Sequence, residues 1–285
     1  MADIINWFVE PLSFPFMQYA MFTALIVSVV CGILSCYLVL KGWSLMGDAI
    51  SHAVLPGIIV AFVTGIPLVV GAFFSGLACA VGVGYLKNNS RLKEDTVMGI
   101  VFSGMFAFGL VLFTKVETDQ HLTHILFGNV LGVSYPELIR TLIVCTIIFI
   151  VVMLKKRDLM LYCFDPVQAR IVGLPPRILH YGLLILLALT IIIAIQVAGV
   201  VLVIAMLISP GITASLLTHR FDRMMIIVVT CSVITSLMGT ILSYHVNAAT
   251  GPTIILLQAI LFLFALIYSK LRAYLHSNKM PLTES

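Results

Sequence analysis

Residues 49–86 decide the fold: they read AISHAVLPGIIVAFVTGIPLVVGAFFSGLACAVGVGYL and contain no Asp, Glu, Lys or Arg. A helix needs about 20 apolar residues to cross the ~30 Å hydrocarbon core of a bilayer. This stretch is too long for one crossing, and Gly65-Ile66-Pro67 offers a natural break, since Gly and Pro interrupt helices. It therefore predicts two membrane spans, at about 48–65 and 67–86.

The composition extends this interpretation to the whole chain of 285 residues. Hydrophobic residues make up 61% and charged residues 10%, against roughly 25% charged for a soluble domain, and the mean hydropathy is +1.15. So few charged side chains cannot cover a soluble surface, and a disordered chain is excluded for the same reason. The net charge of +4 fits basic loops beside anionic lipid better than a nucleic-acid site.

The other apolar stretches predict an all-α, polytopic membrane protein of eight or nine transmembrane helices. Single spans are predicted at 17–40, 96–114 and 137–154, and double-length stretches at 178–219, broken around 196–199, and 224–269, broken at 247–252. With the two spans above, the count is nine, and no room remains for a soluble domain. Two long connectors are expected, at 115–136, where residues 125–133 suit a short interfacial helix, and at 155–177.

The distribution of Lys and Arg predicts the orientation, because cytoplasmic loops are enriched in these residues. With connectors 41–47, 87–95, 155–177 and 220–223 and the C-terminal tail inside, 14 of the 16 Lys and Arg residues lie inside. Only Lys115 and Arg140 lie outside. The N-terminus is therefore expected outside and the C-terminus in the cytoplasm.

Apart from Glu137 at the very start of the span 137–154, Asp48 is the one carboxylate inside a predicted span, and ionisable groups within a membrane tend to mark ion or substrate paths. His52 follows four residues later, so both side chains share one helix face and could bind a divalent metal together. Pro56 cannot donate to the carbonyl of residue 52, and a metal path could use that oxygen. The alternative is a buried Asp–His pair that holds two helices together.

His121 and His124 are three residues apart in the long outer connector, on one face if that segment is helical. They could relay a metal at the entrance. The simpler interpretation is a pair of interfacial histidines on a solvated loop.

The inner connector contains a capped helix start and a helix stop. Asp165 suits the N-cap, with Pro166 at the first helical position, and Gly173 and Pro175 suit the end. The pattern predicts a cytoplasmic helix of about two turns, well placed to dock a soluble partner; the alternative is an ordinary capped loop.

Several chemistries lack their sequence signatures. The chain contains no GxxxxGK[ST], HExxH or GxSxG motif, so ATP binding by a P-loop and the common hydrolase sites are not indicated. The six cysteines form no CxxC pair, which argues against a zinc knuckle. We therefore expect a transport protein, with no enzyme activity and no permanently bound cofactor.

Four segments follow one another in the order of a known membrane-protein family. They are 47–57 (GDAISHAVLPG), 164–166 with Ala169 and 173–175 (FDP, A and GLP), 196–210 (QVAGVVLVIAMLISP), and Ser243 with 251–254 (S and GPTI). Over about 15–270, this order resembles the permease subunits of bacterial ATP-binding cassette (ABC) importers for manganese, zinc and iron. Residues 124–129 and 131–134 look most like the manganese and chelated-iron permeases of enteric bacteria, although Asn129 stands where an acidic residue is common.

The resemblance implies a type II ABC importer-like permease in the bacterial inner membrane, with residues 1–285 as a single domain. Asp48 and His52 match the family positions implicated in coordinating the ion, which is substrate rather than cofactor. Residues 165–175 match the coupling helix that contacts the ATPase. The residues that carry this match are Asp165, Pro166, Ala169, Gly173 and Pro175.

The implied partners are two ATPase subunits, a second permease subunit that is identical or a sister, and a periplasmic or lipoprotein metal-binding protein. Mn(II) and Fe(II) are favoured as substrates, and Zn(II) remains open. An ATP-independent transporter or channel would use the same Asp48–His52 pair and would transport with this chain alone. An intramembrane enzyme would need a second catalytic group at membrane depth, and the sequence suggests none.

Overall fold

The computed structural model describes residues 10–43, 45–115 and 132–277, and these residues form an all-helical bundle. A short 3-10 turn at Pro11–Ser13 precedes the first helix. The helices are α1 (Pro15–Lys41), α2 (Met46–Ala53), α3 (Leu55–Thr64), α4 (Leu68–Asn89), α5 (Glu94–Phe113), α6 (Tyr135–Leu154), α7 (Lys156–Phe164), α8 (Pro166–Ile171), α9 (Pro176–Leu217), α10 (Phe221–Val246) and α11 (Thr250–Ser277).

The described residues include eight helical segments long and apolar enough to cross a membrane. Helices α2 and α3 together make one of them, Met46–Thr64, and the first part of α9 makes another, Pro176–Ile195. A shorter apolar helix, Leu202–Leu217, occupies the place of the remaining predicted span. The expectation of eight or nine transmembrane helices is thereby confirmed.

The helix breaks lie where the sequence places them. Gly65 ends α3 with φ 72°, and Gly199 interrupts α9 with φ 76° and ψ 163°. Such left-handed backbone favours glycine, which has no Cβ to clash. Asn247, at φ 52°, ends α10, and asparagine tolerates this region better than most residues.

The bundle has an inner and an outer set of helices. In the most apolar stretch of α1, 72% of residues are buried, and the corresponding value for Met46–Thr64 is 67%. In α5 and α11 the value is only 17%. Helices α1 and α9 pack against each other and against α10, while α2 packs against α9, α5 and α4. The exposed apolar faces of α5 and α11 suit contact with lipid.

Helices α3 and α4 touch through two glycines. A Cβ at Gly57 would collide with the backbone carbonyl of Gly71, and a Cβ at Gly71 would collide with that of Gly57. Small residues allow this close approach, which matters in a bilayer because lipid is as apolar as a protein core and van der Waals packing must hold the helices together.

A hydrogen bond from α1 supports the proline inside α9. Pro210 has no amide hydrogen to donate to the preceding turn. Next to it, the amide of Gly211 donates to the Ser35 hydroxyl at 3.0 Å, and Ser35 lies 3.4 Å from the Ile208 carbonyl that it donates to. Ser35 is completely buried, so this contact attaches the interrupted helix to the centre of the bundle.

The inner connector contains more structure than the sequence pattern predicted. The short helix at Pro166–Ile171 is confirmed, but a second helix, α7, precedes it at Lys156–Phe164. Its sequence mixes charged and apolar residues and has no membrane-span signal, so the sequence did not predict this helix. Residues 116–131 of the outer connector lie outside the described residues, and they include His121, His124 and most of the predicted interfacial helix at 125–133.

Candidate functional site

Asp48 and His52 lie together on α2, as the four-residue spacing predicted. The His52 Nε2 is 3.3 Å from the Asp48 Oδ1. Two ligands at about 90° on one ion, each about 2.1 Å from it, are separated by about 3 Å, so this geometry fits adjacent positions on a divalent metal. The Asp48 side chain is 37% exposed and the His52 side chain is 30% exposed, so one side of the pair remains open.

Helix α4 holds the site helix from one side. The Ser75 hydroxyl donates to the Ala53 carbonyl at 2.6 Å, and the Cys79 thiol donates to the Ala49 carbonyl at 3.8 Å. Pro56 does interrupt the helix, because α2 ends at Ala53 and α3 begins at Leu55. Ser75 thus satisfies the backbone oxygen at the interruption, which is what a low-dielectric environment requires, and Cys79 contacts the oxygen one turn earlier.

The carbonyl of His52, which Pro56 was predicted to free, accepts from the Val54 amide. This contact spans only two residues instead of the four of a regular helix turn. That this oxygen takes part in a metal path stays a prediction.

Helix α5 covers the other side of His52 with aromatic rings. The centroids of Phe102 and Phe106 lie 5.4 Å and 5.2 Å from that of the imidazole. The His52 Nδ1 is buried and has no hydrogen-bond partner within the described part of the chain. Sequence reasoning missed both phenylalanines, because the spacing between them shows only that they share a face of α5.

No cluster of three or more His, Cys, Asp or Glu side chains occurs among residues 10–43, 45–115 and 132–277. At a metal site here, the Asp48–His52 pair would supply two side-chain ligands from the described residues. A divalent cation takes at least four ligands, so the others would come from water, backbone oxygens or a second chain.

The residues predicted to begin and end the short connector helix lie at the two ends of α8. Asp165 is the N-cap, and its Oδ1 accepts from the Val167 amide at 2.8 Å and the Gln168 amide at 3.0 Å. Gly173 has φ 86° after the helix end, and Pro175 is the N-cap residue of α9. The helix buries Ala169 completely.

Apolar side chains on and beside α8 point outward. The most exposed of them are Phe164 (80%), Ile171 (74%), Val167 (69%) and Val172 (62%). On a short helix beside the basic connectors, such a group of exposed side chains is typical of a surface that a partner protein covers.

Helix α7 attaches α8 to the bundle. The Lys156 Nζ forms an ion pair with Asp222 of α10 at 2.6 Å, and the Tyr162 hydroxyl lies 2.8 Å from the His180 Nδ1 of α9. Lys41, at the end of α1, lies over the Tyr162 ring at 4.4 Å. Helix α7, which precedes α8, thus contacts three helices of the bundle, α1, α9 and α10.

The cysteines remain thiols. All six lie within the described residues and are free, and Cys163 of α7 is buried like most of the others. Burial raises the pKa of the Cys163 thiol to about 12, with a smaller opposing effect from Lys41. The thiol therefore stays protonated at neutral pH and is a poor metal ligand or nucleophile.

The N-cap of α8 gives a first testable prediction. Asp165→Ala removes the acceptor of two amide hydrogen bonds and is expected to lower the free energy of unfolding by about 1 kcal/mol. Asp165→Asn retains a capping side chain and should cost less. Thermal unfolding of the purified chain in detergent compares the two, and equal losses would show that the cap contributes nothing specific.

Comparison with known proteins places the chain among ABC transporter permeases. The model of the ABC 3 transport family matches residues 13–269. A probable iron transport system membrane protein of Haemophilus influenzae is 65% identical, over 94% of this chain and 99% of its own length. The manganese transport system membrane protein MntB of Synechocystis is 50% identical, over 92% and 86%.

A solved structure agrees with the sequence relatives. This chain superimposes on a chain of PsaBC from Streptococcus pneumoniae in complex with Fab with a TM-score of 0.81, 37% identity, and coverage of 92% of this chain and 95% of that one. Fold, sequence and family model agree over nearly the whole length. The chain is a multi-pass membrane protein and belongs to the ABC 3 transport family.

Proposed function

We propose that this chain is the membrane-spanning subunit of an ABC importer that carries divalent manganese or iron into the bacterial cytoplasm. The observation that carries the proposal is the Asp48–His52 pair, with ligand atoms 3.3 Å apart on a helix of the spanning bundle. Manganese and iron transport systems among the relatives support the choice of cargo. Residues 1–285 would act as one permease domain.

The pair offers one carboxylate and one imidazole, a mixed donor set that accepts Mn(II) and Fe(II) and also suits Zn(II). Such a site discriminates poorly among these ions. A weak, incomplete site suits transport, because the ion must also leave it. Selectivity is therefore expected from a periplasmic or lipoprotein binding protein that delivers the ion.

The open side of the site supports a second permease subunit. A carboxylate that is 37% exposed within a spanning segment is costly against lipid. A second chain, identical or a sister, would close the path over Asp48 and His52 and leave room for water and the remaining ligands.

The exposed apolar side chains around α8 support docking of an ATPase subunit there. Asp165, Pro166, Ala169, Gly173 and Pro175 would shape this surface, because Asp165 and Pro166 begin the helix, Ala169 is buried beneath it, and Gly173 and Pro175 follow its end. Helix α7 would pass the motion on through its contacts with α1, α9 and α10. ATP hydrolysis would take place on the partner, and this chain would have no enzyme activity.

The basic connectors support the proposed orientation of the chain in the membrane. With the connector that carries α8 in the cytoplasm, the N-terminus lies outside and the C-terminus inside, and most of the Lys and Arg residues lie on the ATPase side. His121 and His124, in the outer connector, would then lie at the entrance.

Uptake of radioactive manganese tests the function. The chain is expressed with its sister permease, binding protein and ATPase in cells that lack their own importers, and again without the ATPase, with membrane abundance measured in both. We expect uptake to fall to the background of cells without the chain when the ATPase is absent. Undiminished uptake without it would overturn the ABC proposal and favour an ATP-independent transporter or channel.

A further inference from the structure

We infer that Phe102 and Phe106 of α5 are positioning residues for metal transport: they form an aromatic clamp that holds the His52 imidazole in the orientation that binds the ion. This inference rests on the proposed function, since it assumes that His52 is a ligand. It adds two residues that lack any metal-binding group of their own.

The Phe102 and Phe106 rings both come from α5 and contact the same imidazole. Phe106 meets it nearly edge to face, at an interplanar angle of 73°, and Phe102 is tilted by 50°. The two phenylalanines are stacked on each other, with centroids 6.1 Å apart and an interplanar angle of 24°. Such aromatic contacts have preferred geometries, so they fix the direction of a ring as well as its position.

The clamp takes the place of a hydrogen bond that most metal-binding histidines have. A ligating imidazole usually donates its second ring nitrogen to a carboxylate, a carbonyl or water, and this contact fixes the ring. Here Nε2 faces Asp48, and Nδ1 is buried without a partner in the described residues. Packing is therefore what remains to stop the imidazole from turning Nε2 away from the ion.

Helix α5 packs one side against α2, α3 and α4. Most of its apolar stretch faces outward, but Phe102 and Phe106 are half-buried against α2. Phe108 lies on the same helix, is 56% exposed and takes part in no ring contact with His52. It provides a matched control for removing a phenylalanine from α5.

Direct manganese binding tests the clamp without the binding protein, whose affinity would otherwise dominate uptake. The permease–ATPase complex is purified in detergent, and unbound Mn²⁺ is measured by its electron paramagnetic resonance signal. The double variant Phe102→Leu/Phe106→Leu is expected to raise the dissociation constant about tenfold, the lower end of what loss of an outer-shell contact costs. Phe108→Leu should leave it unchanged.

Two further variants separate positioning from a general structural role. Phe106→Tyr keeps a ring beside His52 and should bind manganese as the unchanged complex does. Phe106→Leu should add no loss when His52 is already alanine, because the clamp acts only through the imidazole. Thermal unfolding midpoints confirm that each complex is folded.

The outcomes distinguish the clamp from the site. If His52→Ala weakens binding while the double leucine variant does not, the clamp is wrong and the metal site stands. An additional loss from Phe106→Leu in the His52→Ala background would also overturn the clamp. If Asp48→Ala and His52→Ala both bind manganese normally, or the unchanged complex binds none, the proposed site fails and the clamp fails with it.

Discussion

Asp48→Asn and His52→Ala are expected to reduce manganese uptake by at least about a hundredfold at equal membrane abundance, since losing even an outer-shell contact of a metal site costs 10–100-fold. Asparagine keeps the shape of Asp48 and a polar contact with His52, but it removes the negative charge that holds a cation. A structural pair would tolerate this change, whereas a metal site would not. Uptake in cells that express the complete transporter is the measurement.

Asp158→Asn serves as the control for Asp48→Asn. This aspartate lies on α7, outside the spanning segments, and pairs at 3.2 Å with Lys155, the residue just before that helix. Such surface pairs contribute little to stability. Its variant should transport as the unchanged chain does. Full uptake by both Asp48→Asn and His52→Ala would demote the pair to a structural contact within α2.

The second large effect concerns the close packing of helices α3 and α4 at Gly57 and Gly71. Gly57→Ala and Gly71→Ala should each destabilise the chain by about 3 kcal/mol or more, at the upper end of the cost of overfilling a packed site. The new Cβ would overlap a backbone carbonyl of the facing helix, and a backbone atom cannot rotate away as a side chain can. Helices α3 and α4 would have to separate, and the hydrogen bonds from Ser75 and Cys79 to the site helix would weaken.

Thermal unfolding in detergent, together with membrane abundance, measures this effect. Gly99→Ala and Gly104→Ala on α5 are matched controls, because a Cβ there meets no atom within 4 Å. They should be neutral or stabilising by up to about 1 kcal/mol, as alanine favours the helix over glycine. Equal unfolding midpoints for Gly57→Ala and Gly104→Ala would show that the contact between α3 and α4 is not tight.

The local features were predictable from the sequence because each depends on neighbours along the chain. Span lengths follow from apolar runs, and helix ends follow from residues such as Gly65, Gly199 and Asn247. The shared face of Asp48 and His52 follows from the helical repeat, and the cap at Asp165 follows from its position before Pro166. The interactions behind the helix ends, the shared face and the cap join residues at most five positions apart.

The tertiary arrangement decided what those features contact. Helices α1 and α5 are both apolar enough to span a membrane, yet the first is mostly buried and the second mostly exposed. Hydropathy cannot separate them, because lipid and protein interior are equally apolar solvents. The clamp of Phe102 and Phe106 on His52, the support from α4 and the glycine contact between α3 and α4 depend on which helices meet, and close packing of small residues and ring shapes determines that. By itself the sequence thus determined the spans, their breaks and the two candidate ligands, and only the packed bundle decided how the ligand pair is held and which side of it stays open.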